Sequence, residues 1–301
     1  MNEFLKRRVP SSGIMLSHPG LALTILFALF VFFMILSSIL SGLIANVSKT
    51  TVVAIRLSMI LQDILIFILP AIVTALMATR LPAKLLAINK IPALNIILIS
   101  VAILFSSMPI MNIIVEWNRT IHFPEYLSEF ERVFRQMEDS AQTVIDNLMR
   151  GSSVGTLAVS ILIIGVMAGF SEELFFRGAM QRIFMSTTMN GHLAVWCVAL
   201  IFSLFHFQFF GIVPRMLLGA YFGYLLWWSG SLWLPIILHI LNNTIVVIFT
   251  WRSCNIPDET LNPDKLGVDL SSSANCIMVG VSIIITVLLF VILKRLCNRQ
   301  N

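Results

Sequence analysis

Eight stretches of this chain, 21–44, 53–78, 92–114, 153–188, 192–209, 211–229, 231–250 and 274–296, each run for eighteen residues or more with few charges. About 20 mostly apolar residues are needed to cross roughly 30 Å of hydrocarbon, so each stretch predicts a membrane span. The chain is 58% hydrophobic and 12% charged, against roughly half apolar and a quarter charged in a soluble domain. In lipid only helices and closed barrels satisfy every backbone N–H and C=O group, and these runs lack the period-two alternation of an outer-membrane barrel. The expected fold is therefore all-α: a polytopic membrane protein of about eight transmembrane helices. The first run is too long for a signal-peptide core and lacks a small-residue cleavage site, so it is kept as a span.

The net charge of +5 is read by position. Lys6, Arg7 and Arg8 precede the first span, Arg80, Lys84 and Lys90 lie between the second and third, and Lys294, Arg295 and Arg299 close the last. Basic residues in short flanks stay cytoplasmic. That places both termini inside, suits an even span count, and points to the plasma (inner) membrane of a bacterium. The bilayer is the expected partner; the basic balance does not read as a nucleic-acid site. Residues 1–20 form a short lead and 21–114 three N-terminal spans. Within 115–152 the sequence 123–150 puts Leu127, Phe130, Phe134 and Met137 at helical spacing between charges, an amphipathic helix on the membrane surface or capping the bundle. It reads as a structural lid, with substrate gating the sharper alternative. A four-span core at 153–250 follows, then a polar loop with Pro257 and Pro263, and the last span. Arg56 and Asp63, seven residues apart on one face of span two, are expected to satisfy one another or a neighbouring helix. Cys254 and Cys276, at the ends of the last two spans, are read either as a disulfide or as two thiols.

The core holds a polar constellation: Glu172-Glu173 with Arg177, Phe202 with His206, and His239 with Asn243, each at about one helical turn. Ionisable groups in spans are costly unless paired or facing a cavity, and so mark function. From the turn at Met189-Asn190-Gly191, Glu172 lies about 16 residues up one helix and His206 about 14 up the next, roughly 24 Å against 21 Å. His239 and Asn243 share a face of span seven, about 12 and 18 Å from the turn at 229–231. These depths meet if the long fourth helix protrudes past the membrane. Glu173, four residues before Arg177, stands in the favoured order for a helical ion pair. Glu172 points about 100° away, freer to face a cavity. A carboxylate and an imidazole there suit activation of water, and His239 with Asn243 suit donors to the oxyanion formed at an attacked carbonyl. Phe202 is expected to pack on the imidazole; Ser171, Ser203 and Asn242 need only helix packing. No Ser or Cys stands beside a base, which disfavours a covalent mechanism.

In this order, Glu172-Glu173-x-x-x-Arg177, Phe202-x-x-x-His206 and His239-x-x-x-Asn243 resemble the CAAX protease and bacteriocin-processing (CPBP, or Abi) family of intramembrane proteases, over roughly residues 153–250. The resemblance implies an eight-helix bundle around a conical cavity, with Glu172 and His206 activating water, His239 and Asn243 forming the oxyanion hole, and Glu173 and Arg177 completing the first motif. It implies a peptide or protein substrate, either lipidated and cut near its C-terminus or bacteriocin-like. It implies no cofactor. A zinc peptidase using Glu172, His206 and His239 as ligands is the chemical alternative, although no H-E-x-x-H helix is present and Asn243 would then lack a task. From a different class, the chain could be a non-catalytic membrane adaptor or immunity protein that binds a partner peptide. A proton-relay transporter would need inverted repeats or broken helices, and neither is legible.

Overall fold

The structure, a computed structural model, describes residues 18–48, 50–151, 153–188, 190–255 and 272–300. It is a bundle of ten principal helices among the described residues, without a β-strand there. In chain order these are α1 (Pro19–Val47), α2 (Thr51–Ala78), α3 (Leu94–Ser106), α4 (Met108–Arg119), α5 (Ser128–Met149), α6 (Val154–Thr188), α7 (Gly191–Leu204), α8 (Phe209–Ser229), α9 (Trp233–Asn255) and α10 (Ser273–Gln300). Their ends carry ordinary stop and start chemistry. Pro19 opens α1, where its missing N–H costs nothing. Thr50, Ser153 and Asn190 cap α2, α6 and α7 by accepting backbone N–H groups of Val53, Thr156 and Leu193. Gly230 ends α8 in the left-handed conformation at φ +67°.

Six helices, α1, α2, α6, α8, α9 and α10, are long and apolar enough to cross a membrane, and seven if the bent pair α3–α4 counts as one. Among the described residues the expected eight is not confirmed, for two physical reasons. The third segment is broken by a 46° bend between Ser106 and Met108. Pro109 has no N–H to donate there, and the Ser106 and Ser107 hydroxyls bond back to the carbonyls of Ile103 and Leu104. The fifth segment, expected as a helix over 192–209, stops at Leu204 after 14 residues. Beyond it Phe207 turns the chain through φ +53°, a left-handed conformation that costs a non-glycine residue roughly 1–2 kcal/mol. The loop expected from 251 begins no earlier than 256, because α9 continues to Asn255. Pro257 and Pro263 lie outside the described residues, as does most of the N-terminal lead. Cys254 and Cys276 are thiols rather than a disulfide. Arg56 and Asp63 do not meet: Arg56 reaches the Leu148 carbonyl, and Asp63 accepts from Ser171 Oγ at 2.9 Å.

The main apolar core joins α1, α2, α6, α7 and α9 through Leu26, Ala75, Phe175, Phe176, Phe202 and Ile236. Between transmembrane helices the drive is packing and hydrogen bonding rather than escape from water, so small residues sit where backbones must approach. Gly165 and Gly169 fill that role on α6, four residues apart against α9. A methyl group placed on Gly169 would lie 3.1 Å from the Ile240 backbone nitrogen and 3.3 Å from its Cα, and one on Gly165 would lie 2.9 Å from Thr244 Oγ1. This contact sets the distance between the helix of the two glutamates and the helix of His239. Backbone atoms cannot step aside as a side chain can, so Gly169→Ala should lower stability by about 1–3 kcal/mol through overpacking. Unfolding in detergent checks this, with Gly20→Ala as the neutral control because nothing lies within 4 Å of that position.

Candidate active site

Helix α6 carries the first motif between two widened, π-type turns, Ile161–Met167 and Leu174–Gln181, a backbone form frequent at functional sites. Glu173 and Arg177 are fully buried and paired, Arg177 Nη1 donating to Glu173 Oε1 at 2.8 Å. Arg177 Nη2 donates to the Gly219 carbonyl of α8 at 3.0 Å, and its guanidinium lies 4.3 Å over the Phe202 ring, a cation–π contact. The same Glu173 Oε1 accepts from His239 Nδ1 at 2.8 Å. One carboxylate oxygen thus binds α6, α8 and α9 together. The His239 ring lies 5.0 Å from that of Phe222 at 30° and 5.9 Å from that of Phe202 at 80°, which fixes its plane.

Glu172 differs from its neighbour in exposure and in anchoring. Its side chain is 14% exposed where that of Glu173 is fully buried. Its Oε2 lies 3.8 Å from His239 Nε2, longer than a hydrogen bond, and has no hydrogen-bond partner among the described residues. Glu173 Oε2 also lacks a partner, but that carboxylate is anchored twice through Oε1. His206 sits two residues past the end of α7, with Nδ1 2.9 Å from the Phe202 carbonyl. A carbonyl only accepts, so Nδ1 carries the proton and the Nε2 of the neutral ring is left as an acceptor. The Phe202 ring lies 5.0 Å from that of His206 and 5.9 Å from that of His239, whose Nε2 is 3.8 Å from Glu172, which places the three groups in one neighbourhood. Asn243 donates from Nδ2 to the Ile164 carbonyl at 3.2 Å and accepts from Asn242 at 3.3 Å; the second proton of its amide stays available. Phe202 stacks edge-on to His206 at 5.0 Å, as its spacing suggests.

Sequence reading passed over several residues that shape this site. Ser171, assigned to packing alone, ties the turn before Glu172 to the buried Asp63 of α2. Gly165 and Gly169 set the helix spacing, and a small-xxx-small search would have found them. Arg215, a charge inside an apolar segment, was legible by the rule that marked the glutamates. It acts electrostatically on both Glu172 and His206. No group of three His, Cys, Asp or Glu side chains among the described residues is arranged to hold one metal ion. The arrangement brings a partly exposed carboxylate and two imidazoles together beside the Asn243 amide.

Breaking the buried pair should be costly, since removing one partner of such a pair leaves the other charge uncompensated, typically about 3–5 kcal/mol. Arg177→Met is expected to lose stability on that scale, and the Glu173→Gln/Arg177→Met double variant to recover part of it. Denaturant titration in mixed micelles measures both.

In comparison with known families, residues 154–245 fit the family model described as type II CAAX prenyl endopeptidase Rce1-like. Comparisons with curated proteins and with solved structures return no match. The matched segment contains all six polar residues of the three motifs.

Proposed function

We propose that this chain, a multi-pass member of the Rce1-like CAAX endopeptidases, hydrolyses a peptide bond of a membrane-associated substrate with Glu172 as the base. The observation that carries the assignment is the contrast between the two adjacent glutamates. Buried polar atoms are normally satisfied, and the exceptions call for a reason. Glu173 is locked to Arg177 and His239, whereas Glu172 accepts no hydrogen bond at Oε2 beside His239.

In this reading Glu172 takes a proton from water while His206 Nε2 orients it, and the hydroxide adds to the scissile carbonyl. Asn243 Nδ2 and His239 Nε2 donate to the resulting oxyanion. His239 can donate there only with both ring nitrogens protonated, because Nδ1 is already spent on Glu173. The carbon–nitrogen bond then breaks, and Glu172 returns its proton to the departing amine. Glu173 and Arg177 touch no substrate; they position His239. No metal takes part in this scheme. Zinc held by Glu172, His206 and His239 is the rival; with His239 Nδ1 on Glu173, its Nε2 would be the nitrogen offered to the metal.

Removing a general base typically costs 10²–10⁴-fold and removing an oxyanion donor about 10²–10³-fold. Glu172→Gln and Asn243→Ala are expected to lose turnover on those scales while folding normally. The test compares protein termini in membranes from cells carrying wild type or Glu172→Gln at equal expression. A defined end should disappear in the variant as its uncut precursor accumulates. Matching termini, with the variant still complementing a deletion, would make the carboxylate structural and favour a peptide-binding adaptor. The metal-free scheme further predicts activity unaffected by chelators, and purified protein without stoichiometric zinc; loss with a chelator and rescue by zinc would favour the rival.

A further inference from the structure

Arg215 enters the site from α8. Its guanidinium lies over Gly211, where an added Cβ would meet Nη2 at 3.2 Å and Nη1 at 3.3 Å, so the glycine makes room for it. Nη2 donates to Gln208 Oε1 at 2.5 Å. Nη1 is buried without a hydrogen-bond partner among the described residues. None of the ion pairs found among those residues includes Arg215, although Glu172 and Glu138 both act on it electrostatically. A guanidinium is thus held by the amide of Gln208, two residues after His206, with an N–H that nothing among the described residues satisfies.

A buried charge without a full set of partners is expensive, and the guanidinium fork matches a carboxylate above other ligands. The substrate supplies one. A C-a-a-X tail places the chain's own α-carboxylate three residues past the modified cysteine. Three extended residues span at most about 10 Å, so a bond presented to Glu172 leaves that carboxylate within that reach of it. We infer that Arg215, oriented by Gln208 over Gly211, is the subsite for the α-carboxylate of the substrate's C-terminus. The distance from Glu172 to Arg215 then works as a ruler for where the tail is cut. The inference rests on the protease reading above, and it selects between the two substrate classes the family resemblance leaves open. A tail ending in a free carboxylate fits; an internal leader junction has no anion to offer.

The test uses the purified full chain and one farnesylated peptide with three residues beyond its cysteine, made as the free acid and as the C-terminal carboxamide. Binding is read by fluorescence anisotropy on Glu172→Gln protein, cleavage on wild type. A charge-assisted hydrogen bond predicts that the acid binds on the order of tenfold to a hundredfold more tightly than the amide. Adding Arg215→Gln should bring that ratio near one by weakening the acid alone, and Arg215→Lys should keep part of it. Equal binding of the two peptides, binding of neither, or a preference that survives Arg215→Gln overturns the inference. If Arg215→Gln does not fold, the acid-to-amide ratio on the Arg215 protein and its value in Arg215→Lys decide the matter. Failure of the protease reading looks different: Glu172→Gln would still cleave, or wild type would cleave nothing, whatever the acid preference. Cleavage of acid and amide at equal efficiency would spare that reading and sink this one.

Discussion

The Glu173–Arg177 pair is the contact on which the rest of the site depends. Both side chains are fully buried, and one oxygen of Glu173 accepts from Arg177 and from His239. Arg177 extends the tie to the Gly219 carbonyl. Buried ion pairs are poor sources of net stability, since desolvation offsets most of the attraction. What this one provides is position. Three helices are referred to a single carboxylate oxygen, and the adjacent Glu172 inherits a fixed direction about 100° around the helix.

Such a reference point works only if the helices come close enough to share it. Gly165 and Gly169 let α6 lie against the backbone of α9 at Ile240 and Thr244, four residues after Gly165 and three before Glu172 in the case of Gly169. The opposite wall is set differently. His206 hangs on a turn that ends in the left-handed Phe207, and the following residues are gripped by the surface helix α5. Glu138 accepts the Phe210 N–H at 2.7 Å, Phe134 stacks on Phe209 at 5.3 Å, and Arg135 lies 4.0 Å over the Phe210 ring. Strain at functional turns persists when surroundings over-determine it, and α5 supplies those surroundings. The amphipathic helix is in contact with the loop that carries His206, which gives a lid-like segment a direct mechanical link to the site.

The all-α bundle and the meeting of Glu172 with His239 were legible because hydropathy and the 1.5 Å rise are nearly context-free. The Glu173–Arg177 pair was legible for the same reason: i, i+4 spacing on a helix is local geometry. Three things were not. The bend at Ser107 needed Pro109 and two hydroxyls to act together, and the end of α7 at Leu204 needed α5, a distant segment, to stabilise a left-handed phenylalanine. His239 binding Glu173 rather than standing wholly free for an oxyanion depends on which ring nitrogen faces α6, a rotation that no spacing encodes. Of the longer Phe130–Phe134–Met137 stripe, Phe134 is used against the loop while Phe130 and Met137 stay exposed; periodicity identifies an apolar face but not which members a neighbour will claim.

In an apolar medium the polar side chains of this core separate by how fully they are satisfied. Glu173 Oε1, Arg177 Nη1 and Nη2, and the Ser171 and Tyr221 hydroxyls are spent within the protein, and through His239, Gly219, Asp63 and Ser100 they tie α6 to α9, α8 and α2, and α8 to α3. Glu172 Oε2 and Arg215 Nη1 are not. These two atoms belong to groups of opposite charge that sense one another without forming an ion pair. Had the arginine come into contact with Glu172, the pair would have neutralised itself and the carboxylate would have been a weaker base for water. Holding Arg215 back on Gln208 and Gly211 keeps both groups reactive. On the proposed reading, an extended peptide with a terminal carboxylate would lie between base and cation in one direction only. Polarity of binding would then follow from electrostatics, before any side chain of the substrate is read.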